Sequence, residues 1–241
     1  MKWGYANLRR HDLSEVLFKK QQELVDYPDK VKPVEKMLDI TAFFPGGRGL
    51  WLEKESTEFP SILVLGQDFS TVKAYEAMVA GNKADLDSPT WKNLIKLFDE
   101  AKVDLHKCFF SNVFIGLRDT EKMTGQFPGR KDNDFVNMNL AFLLFQILTI
   151  KPNLIITLGI PASEMVAKLS RPDLKGWDKG KALSSPDNGC KTNISLNGYV
   201  CNCVALEHTS MRNSNVKRRV YGKCKGHEAE VEMLKDALKL S

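Results

Sequence analysis

Three polar residues of this 241-residue chain stand where an apolar run gives way to a polar turn. Asp68, Asn112 and His208 each come two or three residues after such a run. A carboxylate can orient water or face a developing positive charge, and a neutral imidazole can donate a hydrogen bond to a departing group. A carboxamide offers both donors and an acceptor for reading the edge of a planar ligand. The three residues are therefore candidates for one active site.

Four short apolar runs are predicted to be the strands that position these side chains. In an open parallel sheet the ligand crevice lies outside the carboxyl ends of the strands, so residues that follow different strands converge. Asp68, Asn112 and His208 are therefore expected to meet, and Gly159 follows the remaining strand. Taken singly, each of these residues is more often structural, for example as a turn former or helix cap. The prediction of an active site therefore depends on the placement of all three after strands. The four runs are residues 62–65, 109–110, 154–158 and 204–206.

Segments between and around these runs have the apolar spacing of helices. Alternating strands and helices predict an α/β fold, a three-layer αβα sandwich with a mainly parallel central sheet. Residues 1–57 are expected to be an N-terminal helical elaboration of the same domain, and residues 58–241 to be the α/β domain itself. Residues 171–197, with their glycines, serines and Pro186, are expected to be a long surface insertion. The predicted helices are residues 12–27, a segment beginning at Ser88 and Pro89, residues 132–150 and residues 228–240.

The positive charge of the chain is modest overall but concentrated in one segment. The formal net charge is +5, which permits binding to a polyanion without requiring it. From Met211 to His227 there is no acidic residue, and this segment directly follows the His208 turn. It is expected to bind phosphates, and residues 46–49 are a candidate for a second anion-binding nest. The basic residues of the segment are Arg212, Lys217, Arg218, Arg219, Lys223 and Lys225.

The remaining composition favours an intracellular protein. The first twelve residues lack the apolar core of a signal peptide, and no apolar run approaches the roughly 18 residues of a membrane span. The five cysteines form no Cys-x-x-Cys pair, so a disulfide framework is not expected. Cys224 and His227 have a spacing compatible with a metal, but buried inert cysteines are commoner, and neither metal nor cofactor is expected. The chain is expected to be cytoplasmic, or nuclear if eukaryotic, and to act as a monomer without a membrane partner.

The turns that carry the candidate residues resemble motifs of the uracil-DNA glycosylase superfamily. Gly66-Gln67-Asp68-Phe69-Ser70 resembles the water-activating Gly-Gln-Asp-Pro-Tyr loop of that family. His208-Thr209-Ser210-Met211-Arg212-Asn213 is most similar to the branch selective for single-stranded substrates, where His-x-Ser is followed by arginine and asparagine. Phe110 to Val113 resembles the base-reading asparagine segment, and Pro152 to Gly159 resembles the third core strand. The resemblance covers residues 58–240.

The resemblance implies a DNA glycosylase that removes uracil or a related damaged base from single- or double-stranded DNA. Asp68 would orient the attacking water and face the oxocarbenium-like sugar, while His208 would donate to the carbonyl oxygen of the leaving pyrimidine. Asn112 would read the Watson–Crick edge of a base flipped out of the DNA. The other substrate-binding candidates would line the base pocket, hold phosphates or, in the case of Arg212, fill the gap left by the base. They are Gly66, Gln67, Phe69, Ser210, Arg212 and Asn213.

Three positions depart from the family pattern. Phe69 and Ser70 replace a proline and the tyrosine that blocks the thymine methyl in strict uracil enzymes, and Thr209 replaces a proline. Substrate selectivity is therefore expected to differ from theirs. Phe69 and Tyr75 are both candidates for the ring that stacks on the base. A second hypothesis is a member of this fold that binds nucleic acid or a nucleotide without cleaving it, and a third is hydrolysis of another nucleoside-like substrate.

Overall fold

A computed structural model describes residues 8–24, 26–53 and 56–240 of the chain. Within these residues a five-stranded sheet lies between two layers of helices, and two short two-stranded sheets lie outside it. The strands are β1 (Val31–Lys32), β2 (Ile62–Gly66), β3 (Cys108–Asn112), β4 (Leu117–Arg118), β5 (Leu154–Leu158), β6 (Cys190–Leu196), β7 (Tyr199–Leu206), β8 (Val220–Tyr221) and β9 (Cys224–Lys225). The helices are α1 (Arg10–Gln21), α2 (Val72–Gly81), α3 (Pro89–Ala101), α4 (Asn133–Ile150), α5 (Ile160–Leu169), α6 (Lys181–Ser184), α7 (Arg212–Asn215) and α8 (His227–Lys239).

The central sheet has the strand order β3-β2-β5-β7-β6. The first four strands in this order are parallel, and the edge strand β6 is antiparallel to β7. Strands β2, β3 and β5 are buried at every residue because helices cover both faces, which explains why their sequences do not alternate between apolar and polar. The predicted α/β sandwich with a mainly parallel central sheet is confirmed.

Each face of the sheet has its own apolar core, because alternate residues of a strand point to opposite faces. Leu63 and Leu65 of β2 pack with α1, α4 and α5 on one face. Ile62 and Val64 of the same strand pack with α3 and α8 on the other. Burial on both faces fixes the register of the strands and therefore aligns their carboxyl ends.

Helix α4 is long and apolar enough to cross a membrane by length and composition, with a mean hydropathy of 1.2 over 18 residues. The expectation that no apolar run approaches that length is therefore wrong for this helix. Half of the helix is buried inside the fold, where Phe142, Leu143 and Ile147 belong to the apolar core. Packing against the sheet accounts for its composition.

Three elements differ from the sequence expectations. Helix α1 ends at Gln21 rather than at residue 27, and α2 is an additional helix whose first turn is capped by the Thr71 hydroxyl. Residues 171–197 are not only a surface insertion, because they contain the edge strand β6 and a fully buried Trp177. The Trp177 indole supplies apolar area to the core, which the composition of the segment does not reveal.

Residues 38–51 pack directly on the edge strand β3. Phe44 N donates to Phe110 O at 2.9 Å, and Phe110 N donates to Gly49 O at 2.7 Å. The buried Arg10 of α1 donates to three backbone carbonyls elsewhere in the domain. This N-terminal region therefore covers an otherwise open sheet edge. Residues 1–7, which the signal-peptide expectation concerns, lie outside the described residues.

The glycine cluster at residues 46–49 is a closed turn and not an anion-binding nest. The amides of residues 47–49 donate to the carbonyls of residues 40–43 at 2.9 to 3.2 Å, so they are not free for a ligand. A Cβ atom built on Gly46 would lie 2.0 Å from the Phe69 ring. Close packing therefore requires glycine here.

Candidate active site

The carboxyl ends of the parallel strands meet at one edge of the sheet. Gly66 at the end of β2 is paired with Asn112 at the end of β3. A Cβ atom built on Gly66 would lie 2.6 Å from Asn112 Oδ1, so only glycine allows this approach. Gly159 after β5 has a φ of 86°, and a Cβ atom built there would lie 3.3 Å from His208 Cβ. The turns after these strands therefore lie side by side at the edge where the ligand crevice of such a sheet is expected.

Asp68 lies at this edge as half of a buried ion pair with Arg118. Arg118 Nε donates to Asp68 Oδ1 at 2.9 Å, and Arg118 Nη2 donates to Asp68 Oδ2 at 2.7 Å. Gln67 Nε2 donates to the same Oδ2 at 2.9 Å. The Asp68 and Arg118 side chains are only 8% and 3% exposed, so the carboxylate is held in one orientation.

One acceptor position remains on the Asp68 carboxylate. Its two oxygens accept three hydrogen bonds from described residues, while a carboxylate offers about four lone-pair sites. The remaining position is on Oδ1, which accepts only from Arg118 Nε among the described residues. A single water molecule can therefore be oriented at this atom.

The donors that hold Asp68 also tie down the exposed loop of residues 119–126. Arg118 donates to the carbonyls of residues 124–126, and Gln67 Nε2 donates to Gly125 O at 3.1 Å. Both amide hydrogens of Gln67 are thus used inside the protein. The Gln67 side chain is therefore not free to hold a phosphate, because it connects Asp68 with this loop, and the expected phosphate contact through the Gln67 backbone stays a prediction.

Ser210 fixes the tautomer of His208. The Ser210 backbone N–H can only donate, and its nitrogen lies 3.3 Å from His208 Nδ1, so Nδ1 is the acceptor. The Ser210 hydroxyl lies 2.8 Å from the same ring nitrogen. The neutral imidazole therefore carries its proton on Nε2, which has no hydrogen bond to a described residue. The Ser210 side chain, expected to hold a phosphate, orients the imidazole instead.

Burial lowers the pKa of His208 below its ordinary value of 6.5, and the nearby Asp68 charge opposes this shift. The neutral donor form therefore persists at neutral pH. The His208 pKa is higher in the unfolded chain than in the folded chain, so acid favours unfolding. As the pH falls through 6.5, the free energy of unfolding is therefore expected to decrease.

We expect an NMR titration of the His208 ring to give a midpoint below 6.5. In the Asp68→Asn variant the midpoint is expected to fall further, because the carboxylate charge that favours the imidazolium is gone. A midpoint above 6.5, or an upward shift in the variant, contradicts this assignment of the electrostatics.

Asn112 is buried but keeps hydrogen-bonding capacity at the crevice. Its side chain is 2% exposed, and Nδ2 donates to Phe44 O at 3.0 Å. A carboxamide has two donor hydrogens and an acceptor oxygen, and no other side-chain hydrogen bond of Asn112 to a described residue is present. One donor and the Oδ1 acceptor therefore remain for a ligand, which is the pair that base reading requires.

Two predicted phosphate contacts, Arg212 and Arg219, are buried at 4% and 2% exposure. Both pair with the fully buried Glu230 of α8, with Arg219 Nε 3.2 Å from Oε1. The Glu207 backbone N–H donates to Glu230 Oε1 at 2.7 Å. The prediction that Arg212 and Arg219 contact phosphate, or that Arg212 fills a DNA gap, is therefore wrong for this structure. Glu230 contacts Glu207 at one end of the His208 turn and Arg212 at the other, and so anchors the turn to α8.

The other basic residues of the segment are exposed and form the basic surface. No salt bridge joins them to an acidic side chain of the described residues. Asn213 is also exposed, between the His208 turn and this surface. The basic surface consists of Lys217, Arg218, Lys223 and Lys225.

The two aromatic residues considered for base stacking both pack elsewhere. Tyr75 is 8% exposed, and its hydroxyl accepts from Lys36 N at 3.1 Å. Phe69 lies edge-on to Tyr75, with ring centroids 6.2 Å apart, and packs on Gly46. Within the described residues these rings belong to small satellite clusters around Val34 and around residues 38–42.

The described residues contain no group of three His, Cys, Asp or Glu side chains able to hold a metal ion. His227 lies 2.9 Å from Arg212 Nη2 through Nδ1 and 2.6 Å from Glu100 Oε2 through Nε2. Both ring nitrogens of His227 therefore already have partners on other side chains, so His227 has a structural role without a metal.

Sequence reasoning missed two charged residues that organise the site, Arg118 and Glu230. The signal for each was present, since Arg118 directly follows an apolar run and Glu230 stands between Ala229 and Val231 on the inner side of α8. A charge within an apolar stretch is buried only when it is paired, so such residues indicate a partner.

Comparison with known protein families finds one match over most of the chain. A family model described as the uracil DNA glycosylase superfamily matches residues 60–237. This range includes the turns that carry Asp68, Asn112 and His208, and it leaves out residues 38–51. No curated protein matches the chain.

Proposed function

Because the chain belongs to the uracil-DNA glycosylase superfamily, we propose that it hydrolyses the N-glycosidic bond of uracil, or of a related damaged base, flipped out of DNA. The observation that carries this proposal is the convergence of a carboxylate, a neutral imidazole and a carboxamide at one edge of the sheet. Members of this superfamily typically act on DNA as glycosylases, which makes DNA the partner.

Asp68 and His208 have opposite electrostatic tasks in this reaction. Cleavage of the bond develops positive charge on the sugar and negative charge on the departing base. Asp68 faces the sugar and orients water at its remaining Oδ1 position. His208 donates from Nε2 to the base, since its Nδ1 is occupied by Ser210.

Asn112 supplies recognition. Its remaining donor and acceptor match the alternating donor and acceptor groups on the Watson–Crick edge of a pyrimidine. Phe69 and Ser70 stand where strict uracil enzymes have proline and tyrosine, so we propose a selectivity broader than or different from uracil alone.

A non-catalytic nucleic-acid or nucleotide-binding protein of the same fold is the alternative, and the Asp68 ion pair favours it. Arg118 engages both carboxylate oxygens and offsets the negative charge that would stabilise an oxocarbenium ion. The two proposals differ in whether the remaining acceptor position on Oδ1 is sufficient for catalysis.

The deciding experiment is a glycosylase assay on single- and double-stranded oligonucleotides that carry uracil or other damaged bases. Formation of alkali-labile abasic sites by the wild type supports the glycosylase. Binding of the same oligonucleotides without cleavage of any of them supports the alternative. An Asp68→Asn preparation is the matched control for contaminating glycosylase.

We expect replacement of Lys217 and Arg218 by alanine to weaken oligonucleotide binding similarly for all sequences. Both residues belong to the exposed basic surface next to the His208 turn, where they would neutralise phosphates. Each lost phosphate contact should reduce the slope of log K against log salt by about 1. Fluorescence anisotropy at several salt concentrations measures this slope.

Lys102 and Lys107 provide the control pair for this measurement. They are exposed and precede β3, at the edge of the sheet opposite to the crevice. Their replacement by alanine removes the same net charge and should leave the slope nearly unchanged. If the two double variants change the salt slope equally, the basic surface contributes to binding only through the net charge of the protein.

We also propose an intracellular location and a monomeric state, which suit an enzyme that works on DNA in a reducing compartment. All five cysteines are free thiols, and burial raises the pKa of the Cys108 thiol, so that thiol is inert at neutral pH. Size-exclusion chromatography with light scattering tests the oligomeric state.

A further inference from the structure

The side chain of Arg118 joins Asp68 to the exposed loop of residues 119–126 with all of its N–H donors. Nε and Nη2 donate to the two Asp68 oxygens at 2.9 and 2.7 Å. Nη1 donates to the carbonyls of residues 124 and 126 at 3.4 and 3.2 Å, and Nη2 also donates to Gly125 O at 2.9 Å. Because a guanidinium has five N–H donors, none remains for another partner. One planar group thus links the carboxylate to three successive peptide units of the loop.

The loop also offsets the positive charge of Arg118. Its three carbonyls present the negative ends of their peptide dipoles to the guanidinium. Arg118 Cζ lies over the Phe127 ring, 5.5 Å from its centroid, and the face of an aromatic ring is negative. Asp68 is therefore not alone in compensating this buried cation. The surroundings of Asp68 are more negative than an isolated Asp68–Arg118 pair would make them.

Gly125 holds the loop in this arrangement. Its carbonyl oxygen accepts from both Arg118 Nη2 and Gln67 Nε2, at 2.9 and 3.1 Å. Gly125 has a φ of 90°, which residues with a side chain rarely adopt. A Cβ atom built on Gly125 would meet no described atom within 4 Å outside its chain neighbours, so lack of space is not the reason for glycine. Glycine is required for the backbone conformation that directs this carbonyl to both donors.

We propose that Gly125 and the loop position the Asp68 carboxylate for catalysis, acting through Arg118 and Gln67. This inference rests on the proposed glycosylase function, and the loop has this effect without touching the DNA. While the loop is docked, its carbonyls use three of the five Arg118 donors. When the loop is displaced, the guanidinium is free to rotate, and its donors compete with water for the remaining position on Asp68 Oδ1. A docked loop therefore keeps that position available.

The test is Gly125→Val, because a β-branched residue disfavours a φ of 90° while the open space around Gly125 excludes a clash. The Arg118 Nε–H signal in a heteronuclear NMR spectrum reports docking, since a proton held by Asp68 exchanges slowly with water and a released one exchanges fast. We expect the variant to lose this signal. Single-turnover excision of uracil should slow by about 10- to 100-fold, the usual effect of misplacing a catalytic group by about 1 Å. The enzyme concentration that gives half the maximal rate should stay the same.

Gly198→Val is the matched control. Gly198 has a φ of 84° and equally open surroundings, but it lies in the turn between β6 and β7, at the opposite edge of the sheet. Its replacement carries a similar backbone strain and should change neither the rate nor the Arg118 signal. Thermal unfolding of both variants compares their stability.

Arg118→Lys separates geometry from charge. Lysine keeps the positive charge beside Asp68 but has three donors and no planar fork, so this variant should also slow excision. An Arg118→Lys protein as fast as the wild type overturns the proposal, because the charge alone would then be sufficient.

Three further results decide against the proposal. A Gly125→Val protein that keeps the Arg118 signal overturns it, as does one that loses the signal and excises at the wild-type rate. Equal slowing in Gly198→Val shows a general effect of stability and also overturns it. If the wild type itself never excises a base, the glycosylase proposal fails separately. The Arg118 signal in Gly125→Val and Gly198→Val then still decides whether the loop holds Asp68.

Discussion

Asp68→Asn is expected to slow base excision by about 100- to 1000-fold, as is usual when one preorganised contact to a transition state is removed. The asparagine is neutral and cannot stabilise positive charge on the sugar. Arg118 keeps its hydrogen bonds to three carbonyls in residues 124–126 but loses its charged partner, so the variant is also expected to be less stable. Single-turnover cleavage at saturating enzyme measures the chemical step, and a parallel thermal melt reports any loss of stability.

His208→Ala is expected to slow the same step by a similar factor of about 100 to 1000, because the Nε2 donor to the departing base is lost. Oligonucleotide binding should remain largely intact in both variants, since neither side chain belongs to the basic surface. If the wild type cleaves uracil DNA and the Asp68, His208 double variant cleaves it equally fast, the catalytic assignment is wrong.

Glu230→Ala is expected to destabilise the protein by about 3–5 kcal/mol, which is the usual cost of removing one partner from a buried ion pair. Glu230 is fully buried and is the common partner of Arg212 and Arg219. Its loss leaves two buried guanidinium groups without their carboxylate and releases the Glu207 backbone N–H. The free energy of unfolding from urea titration measures the effect.

Glu228→Ala provides the comparison, because Glu228 is exposed in the first turn of the same helix and should change the free energy of unfolding by at most about 0.5 kcal/mol. Glu230→Gln keeps the shape of the side chain but removes its charge, and it should be less harmful than alanine. Similar small effects of Glu228→Ala and Glu230→Ala would contradict a structural role for the buried ion pairs.

The basic segment shows where local sequence information ends. Its composition correctly indicated a positive region after the His208 turn, but Arg212 and Arg219 point inward while Lys217 and Arg218 are exposed. The difference depends on Glu230, which lies 18 residues from Arg212. A run of charges cannot reveal which of its members has a buried partner, because that partner comes from another element.

The sequence by itself determined the four parallel strands of the sheet and the turns that carry Asp68, Asn112 and His208. Those features are local: apolar runs buried on both faces form strands, and polar or glycine turns end them. The tertiary structure alone decided the pairing of Asp68 with Arg118, which are 50 residues apart, and the contact of Asn112 with Phe44, which are 68 apart. Such contacts depend on which elements pack together, because a buried charge or amide selects its partner by proximity in space and leaves no periodic pattern in the chain.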